Sequence, residues 1–294
     1  MARIAIVGPG AIGGTLAALL HLSGDHEVIL CARTPFRKLV VRRSVQKTLE
    51  CELPVCTEPG EVRSVDWVIL ATKTYQVAAA SKWFESLCDD TTKIAVTQNG
   101  VEHVSNLAPF FDVNRVIPVV IDCPAEHTGP GQIFQHGDAF MTVPSDKNGA
   151  RFAALFDDPG VEVKLTEDWV SAAWMKLCTN CAGAVSAIAN RPVNVAREPR
   201  AAATMTALIH ECIAVGRAEG AVIDDLVVEV VMASQRGAAD GAMNSIHADR
   251  VAGRPMEWSA RNGVIVRLGE KHGIPTPGNR MIADLLSLIE AGHH

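Results

Sequence analysis

The chain has 294 residues, 48% hydrophobic and 20% charged, with a formal net charge of -6. That length sustains about two domains, and the acidic balance argues against nucleic acid, whose phosphates demand a basic face. No apolar run reaches the about 18 residues a membrane helix needs, and Gly8 to Gly14 interrupt the first apolar stretch too early for a signal peptide. A cytoplasmic protein is expected.

The first half alternates strands with helices. Arg3 to Val7 is a short apolar run, followed by a glycine turn and an apolar helix through Leu22 that Gly24 stops. Glu27 to Cys31 begins a second strand, and Val65 to Ala71, Lys93 to Thr97 and Arg115 to Asp122 give three more. Such alternation predicts an α/β fold: a Rossmann-type, doubly wound parallel sheet covered on both faces. Gln132 to Phe134 and Phe140 to Val143 read as antiparallel strands about a turn at Gly137-Asp138.

From Asp168 onward Ala, Leu, Val and Met recur at helical spacing, with no convincing strand. Thr166 or Asp168 can cap a first helix running to about Asn190, where Arg191-Pro192 ends it. A second helix covers roughly 198 to 219 and stops at Gly220; a third begins near Asp224; another runs from near Pro255 to Gly273. The expected organisation is a Rossmann-type domain over residues 1–165 and an all-helical C-terminal domain over residues 166–294.

The eight cysteines are scattered rather than clustered as metal ligands. Cys178 and Cys181 have CxxC spacing but sit in an apolar helical stretch, which favours buried structural thiols over redox chemistry. His210-Glu211 lacks the second histidine of HExxH and reads as a helix surface pair, so no metal is expected. His293 and His294 end the chain as a purification-tag remnant would.

Gly8-Pro9-Gly10-Ala11-Ile12-Gly13 matches GxGxxG between a first strand and a first helix, where a dinucleotide site needs it. Gly8 permits the tight turn, Gly10 lets the backbone approach a pyrophosphate, and Gly13 permits close helix–strand contact. The helix start then offers free N–H groups to phosphate. At the end of the second strand an NAD enzyme places an acid for the ribose hydroxyl. Here Leu30-Cys31-Ala32-Arg33-Thr34 has none, and Arg33 suits a 2′-phosphate, with Arg37 or Lys38 adding charge. NADP, as NADPH, is the expected cofactor.

Reduction of a carbonyl needs an anchored substrate, a polarised carbonyl and a delivered proton. Lys176 and Asn180 are four apart on one predicted helix, so they leave from one face of an otherwise apolar stretch. A lysine so placed needs a counter-charge, and Glu257 is a candidate, although spacing alone fits a structural ion pair equally well.

The motifs together are specific. They comprise the glycine turn, Lys73 in Ala-Thr-Lys-Thr, Gln98-Asn99-Gly100, Trp174-Met175-Lys176-Leu177 with Asn180, and Asn244-Ser245 with Asp249. Gly253-Arg254-Pro255-Met256-Glu257, Asn262-Gly263 and His272-Gly273-Ile274-Pro275-Thr276-Pro277 complete them. With these the sequence resembles the ketopantoate reductase (2-dehydropantoate 2-reductase) family over essentially its full length.

The resemblance implies NADPH-dependent reduction of a 2-oxo acid, 2-dehydropantoate foremost, as in pantothenate biosynthesis, in a cleft between the domains. Lys176 is implied as general acid and Glu257 as the group that orients it and contacts substrate. Asn180 and Asn99 are implied to hold polar groups of substrate or nicotinamide ribose, Lys73 to face the cofactor, and Ser245 to bind the carboxylate. If Ser245 caps the following helix, backbone N–H groups would assist it.

The chain departs from the family pattern at Ala184 and Ala242, where asparagines often stand; both losses bear on the substrate, and another 2-oxo acid is the alternative. A non-catalytic NADP sensor would lack a proton donor, which the set of Lys176, Asn180 and Glu257 opposes. The apolar helical half is compatible with a homodimer.

Overall fold

A computed structural model describes residues 1–156 and 160–292; His293 and His294 lie outside the described residues. The chain divides into two compact units, Met1–Trp169 and Val170–His294.

The first unit has strands β1 (Ala2–Val7), β2 (His26–Cys31), β3 (Leu39–Arg43), β4 (Leu49–Cys51), β5 (Val55–Cys56), β6 (Trp67–Leu70) and β7 (Lys93–Val96). These are followed by β8 (Val116–Pro118), β9 (Val120–Asp122), β10 (Ala125–Gly129), β11 (Gln132–Gln135), β12 (Ala139–Pro144) and β13 (Val161–Thr166). Six strands form a parallel sheet in the order β5-β2-β1-β6-β7-β8, with β1 at the point where the order reverses. Along β1, Ile4 and Ile6 enter one apolar core while Ala5 and Val7 enter the other. A parallel sheet buried on both faces requires such an unbroken apolar run.

Helix α1 (Ala11–Leu22) packs on one face, and every residue from Gly13 to Leu20 is buried. A single face against one sheet would leave half the helix wet. Here a second sheet, β10-β11-β3-β4, covers the other side. A Cβ on Gly14 would lie 2.3 Å from the Ile133 side chain of β11, so the approach depends on glycine.

Two sequence-based expectations change. β11 and β12 do not pair with each other: β11 lies between β10 and β3, whereas β12 lies between β13 and β9. The run Arg115 to Asp122 serves two sheets, β8 in the parallel sheet and β9 beside β12. The change falls after Pro118, which has no N–H to extend a ladder.

The second unit is helical: α2 (Trp169–Ala189, whose first residue closes the first unit), α3 (Pro199–Ala218), α4 (Leu226–Gly237), α5 (Ser245–Val251), α6 (Val264–His272) and α7 (Pro277–Ala291). α6 is entered through a π turn over Ser259–Gly263 rather than directly from Pro255. It ends at Gly273, whose φ of 67° lets Ile274 N bond Gly269 O at 2.8 Å. Arg250 donates to the last carbonyls of α2, at Ala187 and Ile188.

Glu211 is not a plain surface residue. Its carboxylate accepts from the N–H groups of Gly278 and Asn279 and from Asn279 Nδ2, each at 2.8 Å, and so caps α7. Among the described residues no helix is long and apolar enough to cross a membrane. Cys178, Cys181 and Cys212 are buried together, with Cys178 Sγ 3.6 Å from Cys212 Sγ. Burial pushes the Cys181 and Cys212 thiols up from their usual range, which disfavours the reactive thiolate.

Candidate functional site

In the first unit the candidate residues gather at the carboxyl ends of the parallel strands. Gly8 follows β1 with φ +90°, and a Cβ there would lie 2.9 Å from Thr72 N. Gly13 touches the turn itself, since its Cβ would lie 2.4 Å from Gly8 O. Gly10 differs: its Cβ would meet nothing within 4 Å, so the turn is open to solvent at that point. Gly10 is also the N-cap of α1 with no side chain capping it. The first N–H groups of α1, from Ala11 and Ile12 on, therefore lack intrahelical acceptors and suit a phosphate. The glycine turn thus fits a dinucleotide.

The loops after β6 and β7 form the adjoining rim. Gln98 Nε2 donates to Thr72 Oγ1 at 3.1 Å and to Lys73 O at 3.2 Å, and Lys73 N donates to Gln76 Oε1 at 3.2 Å. Lys73 and Asn99 are both half-buried on these tied loops. His103 supports them from beneath. Its Nε2 lies 2.8 Å from Gln98 O, and its ring meets Trp169 edge-on at 5.2 Å. Burial pulls its pKa down from 6.5 to about 4.

Val7 pairs with Cys31, so β2 ends beside the glycine turn, and Arg33 follows two residues later. Arg33 and Arg37 are exposed and make no hydrogen bond or ion pair among the described residues. Lys38 pairs with Glu50 of β4, so of Arg37 and Lys38 it is Arg37 that makes no ion pair among the described residues.

The second unit carries the other candidates. Lys176 is half-buried on α2, Asn180 is 9% exposed one turn later, and Ala184 is completely buried. The stripe therefore leaves the surface between 176 and 180, and Ala184 belongs to the interior. Ser245 is exposed at the start of α5, and Glu257 is buried just before the π turn. Ser245 does not cap α5. Asn244 does so, accepting from His247 N at 3.0 Å and donating from Nδ2 to Gly183 O at 2.9 Å.

One residue of this set is absent from the sequence reading. Arg261, inside the π turn, is 2% exposed, and its Nη2 donates to Ser245 Oγ at 2.7 Å. Burial lowers its pKa, and the carboxylates of Glu257 and Asp249 act in the opposite direction. Ser245, Glu257 and Asp249 are thus grouped around one guanidinium. A cation four residues after Glu257, one helical turn on, was the available signal. π turns inserted in helices are frequent at functional sites. Asp249 is further held by Arg254 Nε at 2.9 Å.

The chain matches the family model described as Ketopantoate reductase PanE/ApbA over residues 4–148, and its C-terminal counterpart over residues 168–290. A 2-dehydropantoate 2-reductase of Caulobacter vibrioides is 45% identical over 287 residues, spanning 98% of this chain and 99% of that protein. The protein of that name from Mycobacterium tuberculosis is 40% identical over 290 residues, spanning 98% of each. The crystal structure of 2-dehydropantoate 2-reductase from Geobacter metallireducens superposes with a TM-score of 0.91 at 27% identity, covering 97% of this chain and 99% of that one.

Proposed function

Since the chain belongs to the ketopantoate reductase family, we propose that it reduces 2-dehydropantoate to pantoate with NADPH. The observation that carries this reading is the polar set of the helical unit. Lys176 and Asn180 share one face of α2, and Ser245 and Glu257 are grouped about Arg261. A proton donor, amide, hydroxyl and carboxylate are what carbonyl reduction of a 2-oxo acid requires.

A bound nicotinamide supplies the hydride. Lys176 holds the proton at Nζ and delivers it to the oxygen that becomes the hydroxyl. Glu257 orients the ammonium. Asn180 and Asn99 hold polar groups of the substrate and nicotinamide ribose, Lys73 faces the cofactor, and Ser245 takes the carboxylate. Gly8, Gly10, Ala11, Ile12 and Gly13 hold the pyrophosphate. Arg33, exposed and unpaired, takes the 2′-phosphate and favours NADPH over NADH.

A second reading, a different 2-oxo acid, is favoured by Ala242, which offers no hydrogen bond to a substrate hydroxyl, whereas the interior Ala184 does not bear on it. Loss of NADPH absorbance with ketopantoate, against a panel of 2-oxo acids, tests both. The highest kcat/KM is expected with ketopantoate. A higher value with another acid moves the assignment to the second reading, and no oxidation with any 2-oxo acid overturns both.

A further inference from the structure

We propose that Arg261 is a positioning and specificity residue: its buried guanidinium fixes Ser245 as a hydroxyl donor and makes that point selective for a carboxylate. The inference rests on the reading of Ser245 as the carboxylate-binding residue.

A guanidinium has five N–H donors and no acceptor, so across the 2.7 Å contact Ser245 Oγ accepts. One lone pair of the hydroxyl is thereby used and its proton is left to donate. Among the described residues the Ser245 hydroxyl makes no other hydrogen bond. Arg261 is 2% exposed whereas Ser245 is exposed, so the guanidinium lies on the inner side and the free O–H on the outer side. A hydrogen bond accepted from a cation polarises the O–H and strengthens it as a donor.

Arg261 Nε is buried without a partner, so the cation is not fully engaged by the protein. Glu257 and Asp249 oppose the effect of burial and so keep the guanidinium charged in the interior. The arrangement answers a question the hydroxyl alone leaves open. A neutral serine does not distinguish an acid from its ester or amide, whereas a serine backed by a fixed cation does, because only the carboxylate gains the charge. Arg261 lies 16 residues from Ser245 in sequence and reaches it from the π turn.

The test compares ketopantoate with its methyl ester, using the holoenzyme and the variants Arg261→Gln, Arg261→Lys and Ser245→Ala and the double variant Arg261→Gln/Ser245→Ala. Arg261→Gln is expected to raise KM for the acid roughly 10- to 100-fold, the range of a hydrogen bond to a charged group. The ester KM and the NADPH affinity should change less than the acid KM, so that the acid-to-ester ratio of kcat/KM falls. Arg261→Lys, which keeps the charge but not the planar fork, should recover part of the acid preference. The double variant should be no worse than the weaker single variant.

An unchanged acid KM in Arg261→Gln, or equal losses for acid and ester, would overturn the proposal. Should Arg261→Gln not fold, Arg261→Lys and the exposed Ser245→Ala decide it: an acid-to-ester ratio equal to that of the wild type in both defeats it. Wild-type protein inactive on every 2-oxo acid would instead overturn the functional reading, and this inference with it.

Discussion

Asn262 Nδ2 donates to Asn279 Oδ1 across 2.9 Å, with both residues fully buried, and thereby ties the π turn to the first turn of α7. The same amide nitrogen reaches Cys181 O at 3.2 Å, one residue after Asn180. Asn279 in turn bonds Leu208 O at 3.1 Å and the Glu211 carboxylate. One buried chain of amides therefore fixes three helices and the turn that carries Arg261.

Breaking that chain should cost stability. Asn262→Ala leaves Asn279 Oδ1 and Cys181 O without this donor, a penalty of about 1–3 kcal/mol for buried groups. The urea midpoint of unfolding should fall with the slope unchanged. A wild-type midpoint would mean that neighbouring groups or water replace the amide.

On the proposed reading of Arg33, Arg33→Ala should narrow the preference for NADPH over NADH while leaving NADH use nearly constant. Loss of a tenfold preference corresponds to about 1.4 kcal/mol. Steady-state kcat/KM with each cofactor measures it, and equal values already in the wild type would refute the assignment.

Lys176→Ala should lower kcat by roughly 10²- to 10⁴-fold, the range of a positioned general acid. NADPH affinity, followed by fluorescence titration, should survive. Glu257→Gln should also slow turnover, since the ammonium loses its orienting charge. Near-normal kcat in Lys176→Ala would remove this residue from the mechanism.

The buried His103 predicts a pH dependence of stability. Its pKa falls from 6.5 to about 4 on folding, so the unfolded chain binds a proton first as the pH drops. The neutral imidazole's contribution is complete above about 6.5 and is lost progressively down to about 4, amounting to a few kcal/mol on the order of the shift. His103→Gln should flatten the plot of unfolding free energy against pH across that window. Parallel curves for the two proteins would show that other groups carry the dependence.

Ala184→Asn tests where the α2 stripe ends. Because Ala184 is completely buried, an amide there is overpacked and must find new partners. A loss of about 1–3 kcal/mol is expected, without gain in selectivity for a hydroxylated substrate. Stability equal to wild type together with sharper discrimination against deoxy analogues would instead show that position 184 reaches the substrate.

What could be read from the sequence was what short-range geometry dictates. The glycine turn shows in local spacing because Gly8 needs a positive φ and Gly13 close contact, whatever the rest of the chain does. Arg33 shows because two residues past a strand end is a place fixed by the strand itself. Lys176 and Asn180 show because a four-residue interval on a helix puts them on one face.

What only the tertiary structure decided depends on partners far along the chain. β3 pairs with β11, about ninety positions away by register Val40 to Gln132, and nothing in either short segment names the other. Lys176, Asn180 and Ala184 share one helical interval yet pass from half-buried to completely buried, because burial is set by what packs against α2 and not by its period. Asn244 rather than Ser245 caps α5, since Asn244 is also held by Gly183 O. Arg261 joins Ser245 only because a π turn carries it there. Backbone preference and helical period act within a few residues and are written locally. Burial and the partner of a buried charge are properties of the packed whole, and they appear only when the chain has closed around them.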